Sequence, residues 1–405
     1  MNPIVASGEF VEPLRRMLRD CRTCVAPAAE QPDKITPFDR TEFGRQWGAG
    51  LEIDSATRSR PGEELDGGRL GAYLRDAVPE LEGDLEVLQF PSGFSNLTYL
   101  LTIGDREMVL RRPPFGSKPK TGHDMKREFT VLSALQTAFP YCPAPIALCE
   151  DDSVLGAPFF VMERLTGTIV RRDLPGGLEL SPEEVGRLFD RVVVVHSELH
   201  AVDPDEVGLG DFGNPEGYAA RQVRGWAQRY RRAITPNVPD GERVVDWLES
   251  RVPADPHRAS LIHNDFRLDN LVLDPTDPLT IIGVLDWEMA TLGDPLMDLG
   301  ASLAYWVEAN DPPEMHALRM MPTHLQGAPT RREVVQQYAH VSGRDVGDFD
   351  FYYCYGLFRL AGIIQQIYYR FHHGQTQDER FRHLHMAVHG LIGAAEKVID
   401  GSARV

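Results

Sequence analysis

Leu261-Ile262-His263-Asn264-Asp265-Phe266-Arg267-Leu268-Asp269-Asn270-Leu271-Val272-Leu273 is followed, after a connection holding Pro275 and Pro278, by Ile281-Ile282-Gly283-Val284-Leu285-Asp286-Trp287-Glu288. Apolar β-forming residues lead into a polar cluster, resume, and rise again to end on a second acid, which predicts short strands with polar loops at their ends. Three oxygen-bearing side chains then come into register. Asp265 can take a proton from a hydroxyl, while Asn270 and Asp286 can offer hard oxygen ligands to Mg²⁺. Phosphoryl transfer needs this division of labour, because most of its catalysis is positioning and charge neutralisation around the γ-phosphate. A bare His-x-Asp would fit an ordinary strand-loop-strand with solvated acids; the ordered set argues for a site.

The order His-x-Asp-x-x-x-x-Asn, with a later strand-borne Asp, matches the spacing of protein-kinase catalytic and metal-binding loops. Asn264 stands where a protein kinase has Arg, and Asp286-Trp287-Glu288 stands where it has Asp-Phe-Gly. Those departures resemble the aminoglycoside phosphotransferase and choline kinase family. The extended form, with Gly293-Asp294-Pro295 and Asp298-Leu299-Gly300, looks most like the branch related to kinase domains attached to acyl-CoA dehydrogenases. The resemblance implies an α+β, protein-kinase-like two-lobed fold, with a small mixed-sheet N-lobe at residues 68–163 and a larger, mainly helical C-lobe at 164–405. Residues 1–67 form an extension outside it. The same resemblance implies that Asp298 caps or braces the catalytic loop through backbone N–H groups. Asp294 could do the same or face the cleft. His263 is expected to support the loop by hydrogen bonding, not to act as the base; Glu288 stands between a second metal ligand and a structural role.

A chain of 405 residues can bury a large core and ordinarily divides into two domains or lobes. Its formal charge of −18, with no basic stripe, argues against general nucleic-acid binding. Cys21, Cys24, Cys142, Cys149 and Cys354 are odd in number and scattered, unlike a disulfide framework. The lone Cys21-Arg22-Thr23-Cys24 has no second pair and no βαβ context, so two ordinary thiols are the simpler reading. No apolar run approaches a membrane span, and the start lacks a charged region followed by a hydrophobic stretch. A cytoplasmic setting is the expectation.

In the small lobe, Arg69 to Val78 has the period of a short amphipathic helix. Leu85–Phe90 and Leu97–Ile103 read as strands flanking Pro91-Ser92-Gly93-Phe94-Ser95-Asn96. In a kinase-like fold this loop would cover the ATP phosphates, with Gly93 letting the backbone come close and Ser92, Ser95 and Asn96 beside it. It lacks both G-x-G-x-x-G and the Walker pattern, and a plain turn between strands is the alternative. Glu107–Arg112 reads as the third strand, with Val109 and Arg111 on one face and Leu110 and Arg112 on the other. The family places a phosphate-holding cation here, commonly Lys; the matching residue is Arg111, with Arg112 as runner-up. Glu128, in the helical pattern from His123 to Ala138, is the ion-pair partner the resemblance implies. A solvated helical Glu is the alternative. Pro143–Leu148 and Pro158–Met162 read as two more strands, separated by an acidic turn at Glu150-Asp151-Asp152. The run from Phe159 to Leu165, including Glu163, resembles the hinge that meets adenine through main-chain groups; a buried strand would look the same.

Beyond it the chain turns helical. Ser181-Pro182-Glu183-Glu184 supplies an N-cap, a first-turn proline and an acid for a helix through Leu199. His196 and His200 lie one turn apart on it, and with no third ligand at a matching spacing a packed helix face is expected. Arg221, Arg224, Arg229 and Arg370 could meet a carboxylate or CoA phosphate. The function implied is ATP- and Mg²⁺-dependent transfer of phosphate to a small-molecule hydroxyl, with Asp265 as base. Its acceptor would be a hydroxy acid or hydroxyacyl-CoA, or alternatively an aminoglycoside; a nucleotide-binding protein without catalysis is a further alternative. Neither nucleic acid nor membrane is an expected partner, and oligomeric state is not legible.

Overall fold

Short alternating strands and tight turns build the first lobe. β1 (Leu85–Gln89), β2 (Leu97–Ile103), β3 (Arg106–Arg112), β4 (Pro145–Cys149) and β5 (Phe159–Glu163) form one sheet in the order β1-β2-β3-β5-β4. The computed structural model describes residues 55–91, 96–116, 124–256, 258–403 and 405, so Cys21, Cys24, Ser92, Gly93 and Ser95 lie outside the described residues. The two-lobed α+β fold expected from the sequence is the one observed. Strand direction is a refinement of the expected mixed sheet, since each of the sheet's pairings is antiparallel. Short turns enforce this locally: β2 and β3 are joined through Gly104 at φ 61°, and a parallel pair would need a long crossover.

Two helices cover the sheet. α1 (Gly67–Ala77), capped by Asp66, lays Leu70 and Leu74 against Tyr99, Leu101, Leu110 and Val161. α2 (Met125–Leu135) takes the other face, where Val131, Leu132 and Leu135 join Val109, Phe160 and Met162 in the main core. Where an acidic turn was expected, Asp151 caps Ser153 N–H at 2.8 Å and starts a single helical turn, α3 (Asp152–Leu155). The end of the N-terminal extension is docked on the sheet edge. Thr57 exchanges two main-chain hydrogen bonds with Gln89, at 2.9 and 2.7 Å.

The second lobe is mainly helical: α4 (Pro182–His200), α5 (Tyr218–Ala233), α6 (Glu242–Ser250), α7 (Pro295–Leu303), α8 (Pro313–Leu318), α9 (Arg331–Ser342), α10 (Asp350–His372) and α11 (Leu384–Ile399). Between α6 and α7, β6 (Ser260–Ile262) pairs with β9 (Thr291–Gly293), and β7 (Leu271–Leu273) with β8 (Ile281–Val284). These short strands carry the two motif loops at their ends. α10 is buried along most of its length and crosses α7 closely enough that a Cβ on Gly356 would meet Gly300 O at 2.1 Å. Only glycine allows that approach, and it brings the middle of α10 beneath the loop that follows β6.

Several contacts hold the lobes in register. Arg127 on α2 donates to Phe212 O at 3.1 Å and to Thr291 Oγ1 at 3.3 Å. Val284 N donates to Tyr141 O at 2.7 Å. Within the larger lobe, Thr168 bridges to Leu273 just after the chain leaves the sheet. Among the described residues no helix is long and apolar enough to cross a membrane, and Cys142, Cys149 and Cys354 are free thiols.

Candidate active site

β6 ends on Ile262, and after His263 the chain turns sharply, with Asn264 at φ 61°, to present Asp265. A non-glycine residue in this region is held there by its surroundings. The restraint is Asp298 on α7, whose Oδ2 accepts His263 N–H and whose Oδ1 accepts Asn264 N–H, both at 2.8 Å. His196 and His200 on α4 each donate Nε2–H to Asp298 Oδ2 at 3.1 Å. Burial works against the Asp298 charge, yet the hydrogen bonds from both imidazoles hold its carboxyl well below the usual range. The acidic partner that was not evident beside His196 and His200 in the sequence is therefore Asp298. It receives two main-chain donors as well, so this trio is a brace under the loop that carries Asp265.

The two motif loops are tied to each other. His263 Nε2–H donates to Leu285 O at 3.0 Å, and Leu285 N–H donates to Asn270 O at 2.8 Å. Burial depresses the His263 pKa, keeping a neutral imidazole whose role here is that hydrogen bond. Asn270, in a 3₁₀ turn over Leu268–Asn270, donates Nδ2–H to the Asp265 carbonyl at 2.9 Å and to Asp265 Oδ2 at 3.1 Å. Asp286, next after Leu285, also sits at positive φ, 69°. Two left-handed non-glycine residues, one in each loop, mark where the backbone is bent to aim side chains.

From the small lobe comes Arg111. Its Nη1 meets Glu128 Oε1 at 2.5 Å, its Nη2 meets Asp286 Oδ1 at 2.9 Å, and Glu288 Oε2 lies 3.7 Å away. Burial alone would lower the Arg111 pKa, but Glu128 and Asp286 raise it. Arg112 points to the opposite face, donating to Pro113 O and Leu155 O, so strand register separates the two arginines. Buried Asn96 donates from Nδ2 to Glu288 Oε2. Glu163 is exposed, and both its N–H and its carboxylate engage Ala144, which leaves any adenine contact to hinge main chain.

The donor set fits a hard divalent cation. Asn270 spends its amide N–H₂ on Asp265, which leaves its amide oxygen as an acceptor; Asp286 presents a carboxylate, and the Leu285–Asn270 bond holds the two loops side by side. An amide oxygen beside a carboxylate is what Mg²⁺ takes.

Three residues around the site were either left undecided by the sequence or not identified from it. Glu288, left undecided there, joins the Arg111 cluster. Arg267, 1% exposed, places Nε 3.2 Å from Asp265 Oδ1 and 3.3 Å from Asp269 Oδ1, with its guanidinium 4.5 Å from the Tyr305 ring centroid. Its position two residues after Asp265 was the available signal. Arg359 on α10 donates Nη2–H to Asn264 O at 2.9 Å, and nothing in the motif spacing points to it. By contrast Arg221 and Arg224 turn back to carbonyls near or on their own helix, those of Asn214 and Ala220, and Arg229 stacks on Trp226 at 4.6 Å.

A sequence model of the Phosphotransferase enzyme family matches residues 86–333. Acyl-CoA dehydrogenase family member 10 of Mus musculus is 37% identical over 296 residues, covering 73% of this chain and 27% of that protein. Acyl-CoA dehydrogenase family member 11 of Homo sapiens is 33% identical over 327 residues, covering 79% of this chain and 41% of that protein. The chain thus spans less than half the length of these relatives. Among solved structures, one described as a candidate aminoglycoside phosphotransferase from Ralstonia eutropha superposes with a TM-score of 0.70 at 32% identity, covering 82% of this chain and 99% of that one. A choline kinase from Cryptosporidium parvum superposes with a TM-score of 0.57 at 12% identity, covering 84% and 98%; that likeness concerns the fold alone.

Proposed function

This chain belongs to the Phosphotransferase enzyme family, and we propose that it moves the γ-phosphate of ATP to the hydroxyl of a small molecule, a hydroxy acid or hydroxyacyl-CoA. The observation that supports this most is that the Asp265–Asn270 pair and the Asp286–Arg111–Glu128 set, from separate points of the chain, sit on adjoining loops joined by the Leu285–Asn270 main-chain bond.

In this reading Asp265 accepts a hydrogen bond from the acceptor hydroxyl and takes its proton as the new O–P bond forms and the bond to the leaving ADP breaks. Asn270 steadies the Asp265 carboxylate for that task through its 3.1 Å hydrogen bond. Arg111, fixed by Glu128, faces the phosphates with a cation that does not need to reorganise. Asn270 and Asp286 would hold Mg²⁺, which when bound neutralises phosphate charge. The loop of Ser92, Gly93, Ser95 and Asn96 would cover the phosphates, and the main chain around Glu163 would receive adenine. A cytoplasmic setting, where ATP is plentiful, belongs to the same reading.

An aminoglycoside acceptor is the second reading, favoured by the likeness to the Ralstonia structure. A polycation calls for acids around the cleft, whereas Asp265 is flanked by Arg267 and backed by Arg359. Nucleotide binding without transfer is opposed by the complete set of Asp265, Asn270 and Asp286. Mg²⁺-dependent ATP consumption, measured with panels of hydroxy acids, their CoA thioesters and aminoglycosides, separates the three. Stimulation by the first two panels is expected; stimulation by aminoglycosides alone selects the second reading, and none at all removes the enzyme.

A further inference from the structure

Arg359 lies midway along α10, 3% exposed, on a stretch of chain that carries neither motif loop. Its Nη2–H donates to the carbonyl of Asn264, the residue immediately before Asp265, and the Trp226 ring of α5 lies 5.7 Å from its guanidinium carbon. Among the described residues no acid comes within 4.0 Å of it. Arg111, Arg267 and Arg331 differ in this respect, since each meets at least two acids. Burial works against the Arg359 charge, while the Asp265 carboxylate favours it. The Tyr305 phenol, pushed up to about 12, keeps its proton and remains a donor.

A guanidinium has five N–H donors, and the Asn264 carbonyl takes one of them. A buried cation without an acid is costly, and a bound anion relieves that cost. Two phenols near enough to register electrostatically at Arg359, those of Tyr305 and Tyr355, also carry O–H groups, while the Tyr218 O–H donates to Asn264 Oδ1 at 3.5 Å. Donors gathered around a cation beside the base make a receptor for an oxyanion, not for an ammonium group.

We propose that Arg359 is the specificity-determining residue of the acceptor site and receives an oxyanion of the hydroxyl substrate, a carboxylate or a phosphate. This rests on the phosphotransferase reading of Asp265. Because Arg359 holds the carbonyl next to Asp265, an anion seated on it fixes how far along the acceptor the reactive hydroxyl lies. It also disfavours cationic alcohols by direct repulsion.

The test compares short hydroxy acids, their CoA thioesters and the neutral diols of matching length with wild type, Arg359→Gln and Arg359→Lys. Arg359→Gln is expected to raise KM for the hydroxy acid at least about tenfold, with KM for ATP unchanged and the diol little affected, and Arg359→Lys is expected to recover part of the loss. Dependence with the free acid assigns the carboxylate; dependence with the thioester alone assigns a CoA phosphate. Equal losses with acid and diol, or a loss confined to kcat, would reduce Arg359 to a brace on Asn264 and overturn the proposal. Should Arg359→Gln fail to fold, competition on the wild type decides: a carboxylate of the same length without the hydroxyl must compete and its amide must not, and equal competition by both overturns it. Turnover of hydroxy acids that is blind to Arg359 leaves the phosphotransferase reading standing. Absence of any acceptor turnover in the wild type removes both.

Discussion

Asp298 Oδ1 accepts the main-chain N–H of Asn264 at 2.8 Å, so a carboxylate on α7 sets the backbone of the residue that introduces Asp265. Its other oxygen takes His263 N–H, His196 and His200. Asp298→Ala would leave two buried main-chain donors and two imidazoles without an acceptor. At about 1–3 kcal/mol for each buried group left unsatisfied, partly relieved by repacking, a loss of about 3–5 kcal/mol is expected. Urea denaturation measures it; a loss below about 1 kcal/mol would mean that the brace is not a stabilising element.

Asp265→Asn keeps the shape of the loop and removes the proton acceptor. Phosphate transfer is expected to fall about 10²- to 10⁴-fold while nucleotide affinity stays near wild type. Single-turnover transfer and equilibrium binding of ATP report the two separately. Near-normal transfer would remove Asp265 from the role of base.

Arg111→Met takes from Glu128, which is 1% exposed, the guanidinium it meets at 2.5 Å. Breaking a buried pair from one side costs about 3–5 kcal/mol, so the variant should melt earlier and bind ATP more weakly. Adding Glu128→Leu should recover stability but not nucleotide affinity. Recovery of both would show that Arg111 serves the fold and not the phosphates.

Asp286→Ala separates metal from nucleotide. Its carboxylate is held by Arg111 at 2.9 Å, so the variant should retain the Arg111–Glu128 pair yet lose metal-dependent strengthening of ATP binding. Calorimetric titration of ATP with and without Mg²⁺ reads this; an unchanged metal effect would take Asp286 out of the ligand set.

Two buried groups should shape the pH profile in opposite directions. Burial and the neighbouring His196 push the His200 pKa down to about 3, with Asp298 opposing, whereas an unfolded histidine titrates near 6.5. The unfolded chain therefore binds the extra proton below about pH 6.5, and stability is lost as pH falls from there, by at most about 1.4 kcal/mol per unit. Asp294 is raised by burial from the ordinary 3.8 to about 6, so its contribution is lost as pH rises through that interval. His200→Asn should flatten the acid side of the profile, and Asp294→Asn should gain on wild type between about pH 4 and 6. Asn at 294 can still cap Leu296 N–H, which isolates the charge. Chemical denaturation across pH 4 to 7 checks both slopes.

Strand and helix positions were legible because they depend on neighbours in the chain. The third strand, expected over Glu107–Arg112, spans Arg106–Arg112, and alternation placed Val109 and Arg111 on one face. The helix opened by Ser181 runs to His200 with both halves of its capping box formed. The acidic stretch at Glu150-Asp151-Asp152 misled because an Asp that reads as a turn former is equally a helix cap.

The sequence by itself determined the local order: where the loops fall, that Asp265, Asn270 and Asp286 occur at phosphotransferase spacing, and that a cation stands ahead of them on the third strand. Periodicity states which face of an element a residue occupies, but not what that face meets, because contacts between distant segments depend on how helices and sheets cross. Only the tertiary structure decided that His196 and His200 share Asp298, that Asn96 reaches Glu288, and that Arg359, 95 positions beyond Asn264, lies beneath the catalytic loop. The close crossing of α7 and α10 at Gly300 and Gly356 makes that last contact.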